Sequence, residues 1–512
     1  MTGEYGAVMP STVTRITLSA VAAATLASSL LVASPALAKG VARPVFGSSE
    51  HPSDDLATNV ADFKQLKALG ETTVRSDFSW SGIEPQGHGD PSTYNWTHND
   101  AMAGAAEQLG MHVDAMLGYG NKLYSEAGTA NDSNDYPPDD PADYAQFATD
   151  VAQRYETQYP GVVTSYEIWN EPNVSARFWS PAADPAAYAE LLCAAYPAIK
   201  AVAPDAMVIA AGLDMPPSGD IPTLIMGGRE FADKMLTAIG TRKCFDALSY
   251  HPYASPFVSP EAVVKGNGNR SVATDADDLR ATLKQHGYPA STPLYDTEIG
   301  WPTNPDANGV TEEMQARYLV RTMLLSWQRG VSNVYVYDQF DSGDAATNNN
   351  QESHFGIFHS DGTPKPAVKA LTVFNKTLPK GWTYTADLSR KLKLPKGTKK
   401  SPGVNEGYAL EFTGPKKQHI IALWYANENV PNTGCASGIN ALNCAVMSTL
   451  PKAKSISVKV GLPKGAKKVA ITTMMGKKVK QPTVMPATGR VTRGVKAGQE
   501  PVYIAWTGSA YK

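Results

Sequence analysis

The sequence predicts an α/β chain: a (β/α)8 TIM barrel followed by an all-β sandwich domain. Three observations predict it. From residue 42 to about 375, strand-like runs alternate with helix-like segments, eight of each. Several of the strand runs are apolar throughout, as expected where helices cover both faces of a parallel sheet. After about residue 376 the runs become short and β-rich, turn signals separate them, and long helical periods are missing. A doubly wound open sheet is the competing topology, but no Gly-rich phosphate loop accompanies the pattern.

The elements follow in order. Residues 43–47 begin a strand, and 54–69 read as a helix with Ser53 as N-cap and Gly70 as its stop. Residues 72–78 are the second strand, 101–109 a helix and 112–117 the third strand. A helix over 141–155 carries Pro141 in its first turn. The fourth strand spans 162–169, the next helix 185–202, and the fifth strand 207–212. A helix over 231–239 leads to the sixth strand, 245–251. A helix over 275–286 leads to the seventh, 294–298. The helix 312–328, the eighth strand 334–337 and a last helix 366–376 complete the series. Five β runs follow, at 408–412, 419–425, 455–460, 468–473 and 502–506.

The N-terminus reads as a secretory signal peptide over residues 1–38. Arg15 supplies a positive region, 16–32 an apolar one, and Ala36-Leu37-Ala38 a cleavage site. A retained anchor is the competing reading. No later run is long and apolar enough to span a bilayer. The barrel is then expected over 39–375 and the β domain over 376–512. Export makes the four cysteines legible as disulfides, Cys193–Cys244 and Cys435–Cys444, with a free buried thiol as the alternative for Cys193. No His or Cys cluster has metal-ligand spacing, so neither metal nor cofactor is expected.

The net charge of −3 hides an asymmetry. Residues 376–512 carry 23 Lys and Arg against five acidic residues, or +18, which leaves the remainder at −21. A lysine-rich solvated surface is one reading. The other is attraction to an anionic polymer such as a cell-wall component. Nucleic acid fits poorly, since the chain reads as exported and few aromatics lie among the lysines.

Two stretches carry the chemistry: Tyr166-Glu167-Ile168-Trp169-Asn170-Glu171-Pro172-Asn173 and Tyr295-Asp296-Thr297-Glu298-Ile299-Gly300-Trp301-Pro302. Each is an apolar strand run ending in a glutamate beside an aromatic and a proline. Glu171 follows strand four and Glu298 ends strand seven, so both belong at the C-terminal face, where barrel chemistry sits. A carboxyl pair can cleave a glycosidic bond if one member is protonated while the other is ionised. Two nearby carboxylates cannot both ionise easily, which separates their pKa values. A gap of about 5–5.5 Å gives retention of configuration and about 6.5–9.5 Å gives inversion, and the residues alone leave both open.

These motifs resemble clan A, the large group of (β/α)8 retaining glycoside hydrolases. The Asn-Glu-Pro stretch is most similar to family 39, and family 5 is similar too. The resemblance implies a secreted retaining β-glycosidase with Glu171 as acid/base and Glu298 as nucleophile. It implies that Asn170 bonds the sugar 2-hydroxyl and that Arg75 keeps the nucleophile ionised. It also places His251 and Tyr253, in Ser-Tyr-His-Pro-Tyr, at the site. Trp80 and Trp301, near predicted loop tips, are candidates for sugar stacking, with core packing as the alternative. Many clan members carry a tryptophan after strand eight; this chain reads Tyr335-Val336-Tyr337-Asp338-Gln339-Phe340, which makes Asp338 a candidate pocket residue. Three rival readings share the features: a carbohydrate-binding protein on a barrel scaffold, a transglycosylase with the same pair, and a wall anchor built on the basic domain.

Overall fold

The structure, a computed structural model, describes residues 40–87, 89–215, 224–253, 258–262, 271–305, 309–343, 348–392, 406–426, 456–458, 460–463, 466–479, 484–485, 490–491 and 495–509. The expected signal peptide and the Cys435–Cys444 pair lie outside the described residues.

Eight parallel strands close into a barrel. They are β1 (Val45–Ser49), β2 (Thr73–Ser79), β3 (His112–Gly118), β4 (Val163–Ile168), β5 (Met207–Asp214), β6 (Ala247–His251), β7 (Leu294–Ile299) and β8 (Asn333–Tyr337). Closure is made by β1 and β8, whose register runs from Val45↔Asn333 to Ser49↔Tyr337. Eight main helices follow the strands: α1 (Leu56–Leu69), α2 (Thr97–Leu109), α3 (Pro141–Gln158), α4 (Pro185–Val202), α5 (Gly228–Ile239), α6 (Val272–Gln285), α7 (Glu312–Gln328) and α8 (Pro366–Thr377). The expected alternation therefore holds, with most boundaries moved by a few residues.

One cap differs from expectation. Asp55, not Ser53, caps α1, its carboxylate accepting from the Thr58 amide at 2.8 Å. Ser53 sits two residues too early; its hydroxyl accepts from the Asp55 amide instead. Gly70 ends the helix at φ 99° as expected, a conformation that favours glycine. Cys193 on α4 is joined to Cys244, just before β6.

The C-terminal residues build a six-stranded antiparallel sheet. Its strands are Val41–Ala42, β9 (Thr383–Asp387), β10 (Glu406–Gly414), β11 (Gln418–Ala426), β13 (Val502–Thr507) and β12 (Lys467–Thr473), in that spatial order. The first strand comes from the segment ahead of the barrel, pairing Val41 with Tyr384. Strand β11 shows how the sheet is held. Its alternate residues Ile420, Ala422, Trp424 and Ala426 join the core shared with the barrel. Ile421, Leu423 and Tyr425 pack the opposite face with Val458 and Val495 of a small two-stranded sheet. A period of two thus serves two cores at once.

At one end of this sheet Thr507 pairs with Gln418 on one side and Lys467 on the other. The Gly508 amide donates to the Lys417 carbonyl at 3.0 Å. Exposed Lys416, Lys417, Lys467 and Lys468 are thereby gathered at that end. Among the described residues no helix is long and apolar enough to cross a membrane.

Candidate active site

The polypeptide turns sharply where β4 ends. Trp169 and Glu171 both take left-handed backbone conformations, at φ 67° and 47°. Such residues cost on the order of 1–3 kcal/mol each and persist only where the surroundings hold them. Here the Trp169 amide donates to Leu117 O at 3.0 Å and its indole N–H to Phe178 O at 2.7 Å. The Glu171 amide is shared between the carbonyls of Ala211 and Gly212, each at 3.1 Å. The turn aims the Glu171 carboxylate at residues of β6 and β7.

Its Oε1 lies 2.7 Å from His251 Nδ1 at the end of β6. Glu298, on β7, accepts from Arg75 Nη1 at 2.7 Å and from the Tyr253 hydroxyl at 3.1 Å. One ligand atom each from Glu171, His251 and Glu298 lie within 4.8 Å of one another. Two residues far apart in sequence thus bring a carboxylate oxygen each to one spot. This trio has the donor types of a metal site, yet Arg75 already supplies a positive partner to Glu298.

Arg75, on β2 and 1% exposed, organises the floor. Its guanidinium donates to Glu167, Glu298, Asn170 Oδ1 at 2.8 Å and Ser49 Oγ at 3.1 Å. Burial disfavours its charge, but the Glu167 and Glu298 carboxylates overcome that and hold its pKa above the ordinary arginine value. Burial also pushes the Glu298 carboxyl up. The positive His251 and Arg75 side chains and the Tyr253 hydrogen bond outweigh it, so the pKa lies below the ordinary glutamate value. An ionised Glu298 is the chemical consequence.

Donor counting assigns the His251 proton. Thr297 Oγ1 donates its hydrogen to Glu167 Oε1 at 2.9 Å, so the same oxygen accepts from His251 Nε2 at 3.0 Å. Nε2 therefore carries hydrogen, and Nδ1 of the neutral ring is an acceptor facing Glu171. A protonated Glu171 donates to it; a charged ring donates back to the carboxylate. Burial resists charge on the ring, while the Glu298 and Glu171 carboxylates outweigh it and hold the His251 pKa above its usual value. A proton can pass between Glu171 and His251 across this 2.7 Å contact.

The fold and this constellation agree with the comparisons. A model of the cellulase family, glycosyl hydrolase family 5, matches residues 37–327, more than half of the chain. The chain belongs to that family. It is a clan A glycoside hydrolase, and its fold is shared with family 39 and family 30 structures. A family 39 glycoside hydrolase from Bacteroides cellulosilyticus WH2 is 24% identical, with a TM-score of 0.63 over 91% of this chain and 81% of its own. A monomeric β-xylosidase from Caulobacter crescentus CB15 is 15% identical, with a TM-score of 0.58 over 93% and 99%. A family 30 endoxylanase from Clostridium papyrosolvens C71 is 16% identical, with a TM-score of 0.55 over 92% and 98%. A comparison with curated proteins found no match.

Of the residues singled out from the sequence of this glycosidase, Glu171, Glu298, Asn170, Arg75, His251 and Tyr253 converge. Trp80 and Trp301 do not reach the mouth surface. Each is 0% exposed. Trp80 is stacked between Tyr124 and Phe147 and donates to Glu84, while Trp301 packs against Tyr318 and donates to Val258 O. Both rings are core residues with no face left for a sugar, which corrects the stacking expectation.

Asp338 follows β8 and is half-buried, and its Oδ1 is buried without a hydrogen-bond partner among the described residues. Burial, helped by the Asp341 charge, pushes its pKa well above the carboxylate range. Gln339 turns away to donate to Asp62 O. Tyr337 holds the aromatic position instead, edge-on to Phe355, which also meets Tyr253 edge-on. Sequence reasoning named Tyr253 but missed its partners Tyr337 and Phe355, and it missed His51, whose ring meets Tyr337. It also passed over Glu167 and Thr297, although a lone carboxylate inside the apolar run Tyr166-Glu167-Ile168 was a usable signal.

Proposed function

We propose that this glycoside hydrolase cleaves β-linked O-glycosidic bonds of an extracellular poly- or oligosaccharide with net retention, by double displacement. The observation that carries the reading is the approach of Glu171 and Glu298 oxygens to within 4.8 Å. That proximity favours a retaining pair, at about 5–5.5 Å, over an inverting pair at about 6.5–9.5 Å.

In the first step the ionised Glu298 attacks the anomeric carbon. The bond to the departing oxygen breaks, and that oxygen takes the Glu171 proton. In the second, Glu171 removes a proton from water, the water oxygen bonds to the anomeric carbon, and the Glu298 ester is released. Arg75 keeps Glu298 charged and holds Asn170 by its Oδ1, and the Asn170 Nδ2–H groups then donate to a sugar hydroxyl. Replacing Glu298 with Gln tests the reading: turnover of activated aryl glycosides falls by several orders of magnitude in a folded protein. Near-wild-type turnover would overturn it. β-Xylosides head the substrate panel, because two proteins of similar fold are named a xylosidase and an endoxylanase.

Secretion belongs to the same proposal, and the Cys193–Cys244 bond supports an oxidising compartment. So does contact with an anionic wall polymer, supported by Lys416, Lys417, Lys467 and Lys468 at one sheet end. Reversing those four charges should abolish salt-sensitive retention on an anionic polysaccharide; undiminished retention would refute the contact.

A further inference from the structure

The loop after β6 leads a double life. At Tyr253 it donates to the nucleophile, Tyr253 Oη to Glu298 Oε2 at 3.1 Å. At Val258 its carbonyl accepts the indole N–H of Trp301, three residues beyond Glu298, at 2.9 Å. At Glu261 it enters a buried cluster that the reaction does not use.

That cluster joins three parts of the chain. Arg321 of α7 grips both oxygens of Glu261, with Nε to Oε1 at 2.7 Å and Nη2 to Oε2. Trp424 of β11 donates its indole N–H to the same Oε1, also at 2.7 Å. Arg321 and Trp424 are 0% exposed and Glu261 3%. Tyr408 of β10 stacks on Trp424 with ring centroids 4.8 Å apart and planes 6° from parallel, which fixes the indole. A forked arginine–carboxylate pair with a third donor is rigid and directional. Buried charge is costly unless its geometry is complete, so loss of one donor is transmitted to the loop and not absorbed by water.

We propose that Trp424 is a positioning residue for the active site: through Glu261 the C-terminal sheet holds the loop that presents Tyr253 to Glu298. The sheet then helps to set the geometry of the site, and the Trp424 indole N–H is one contact through which it does so. This rests on the reading of Glu298 as nucleophile.

The test uses the full chain with Trp424→Phe, which keeps an aromatic ring and removes the donor. A loosened Tyr253 contact removes an influence that lowers the Glu298 pKa, so the acid limb of the kcat/KM profile moves to higher pH. A roughly three- to tenfold loss of kcat/KM below that limb accompanies it, the worth of about one hydrogen bond. In a Tyr253→Phe background the same change should add no further shift. A folded Trp424→Phe enzyme with the wild-type profile would overturn the proposal, as would a shift that persists in full without the Tyr253 hydroxyl. Should Trp424→Phe not fold, Arg321→Lys, which keeps the charge and loses the fork, is read by the same two criteria. If Glu298→Gln keeps turnover, the nucleophile reading fails; if Glu298→Gln is inactive and the profile is unmoved, only the positioning role fails.

Discussion

Glu171 Oε1 and His251 Nδ1 stand 2.7 Å apart, and the hydrogen bonding behind the ring determines what passes between them. His251 hands its other N–H to Thr297, Thr297 hands its hydrogen to Glu167, and Arg75 balances Glu167. The chain of donors has one direction. It leaves Nδ1 as the group that takes up or returns the acid's proton, and it ends on a buried, compensated carboxylate.

Thr297→Val follows from that direction. Valine keeps the shape and removes the acceptor for Nε2–H, so the preferred tautomer is no longer fixed. We expect kcat to fall about tenfold, near the worth of one hydrogen bond, with KM little changed. Steady-state kinetics on an activated aryl glycoside checks this; unchanged kcat would show that the tautomer is fixed elsewhere.

Glu71 gives a stability prediction far from the chemistry. It lies just before β2, at the N-terminal end of the barrel, and accepts from the Ser48 hydroxyl at 2.8 Å. Burial pushes its pKa from 4.5 to about 7. The folded state holds this proton longer than the unfolded state does. Its contribution is therefore present below pH 4.5 and is lost as the pH rises to about 7. At roughly 1.4 kcal/mol per unit the loss comes to about 3–4 kcal/mol. Glu71→Gln should raise the melting temperature at pH 8, leave it unchanged at pH 4, and not alter kcat. Equal effects at both pH values would contradict the assignment.

The Cys193–Cys244 bond closes a loop of 51 residues across α4 and α5. Loop entropy values such a link at about 4 kcal/mol. The double replacement with Ser should lower the melting temperature markedly while the pH profile of activity keeps its shape. A change in that shape would place the bond in the site's geometry.

Glu171 and Glu298 were legible as a converging pair because local chemistry marks them: each closes an apolar strand run at the C-terminal face of the barrel. Arg75 and His251 were named only through the family resemblance, and their meetings with Glu167, Glu298 and Glu171 are products of the fold. Other features depend on meetings that no local pattern encodes. Trp80 and Trp301 look like loop-tip aromatics, but Tyr124, Phe147 and Tyr318 arrive from elsewhere and bury them. The Thr297–Glu167 contact needs the inward faces of β4 and β7 in register across the barrel. Val41–Ala42 reads as a leader to β1, and only its pairing with β9 makes it part of the C-terminal sheet. Strand β13, the last described strand in sequence, inserts between β11 and β12, an order that the spacing of β runs does not reveal.

The configuration of the sugar first released tests the central claim most directly. Proton NMR on a β-glycoside, read before mutarotation, should show the β-anomer appearing first, because Glu298 inverts the centre once and water inverts it again. Initial appearance of the α-anomer would mean a single displacement and would contradict the paired roles of Glu171 and Glu298.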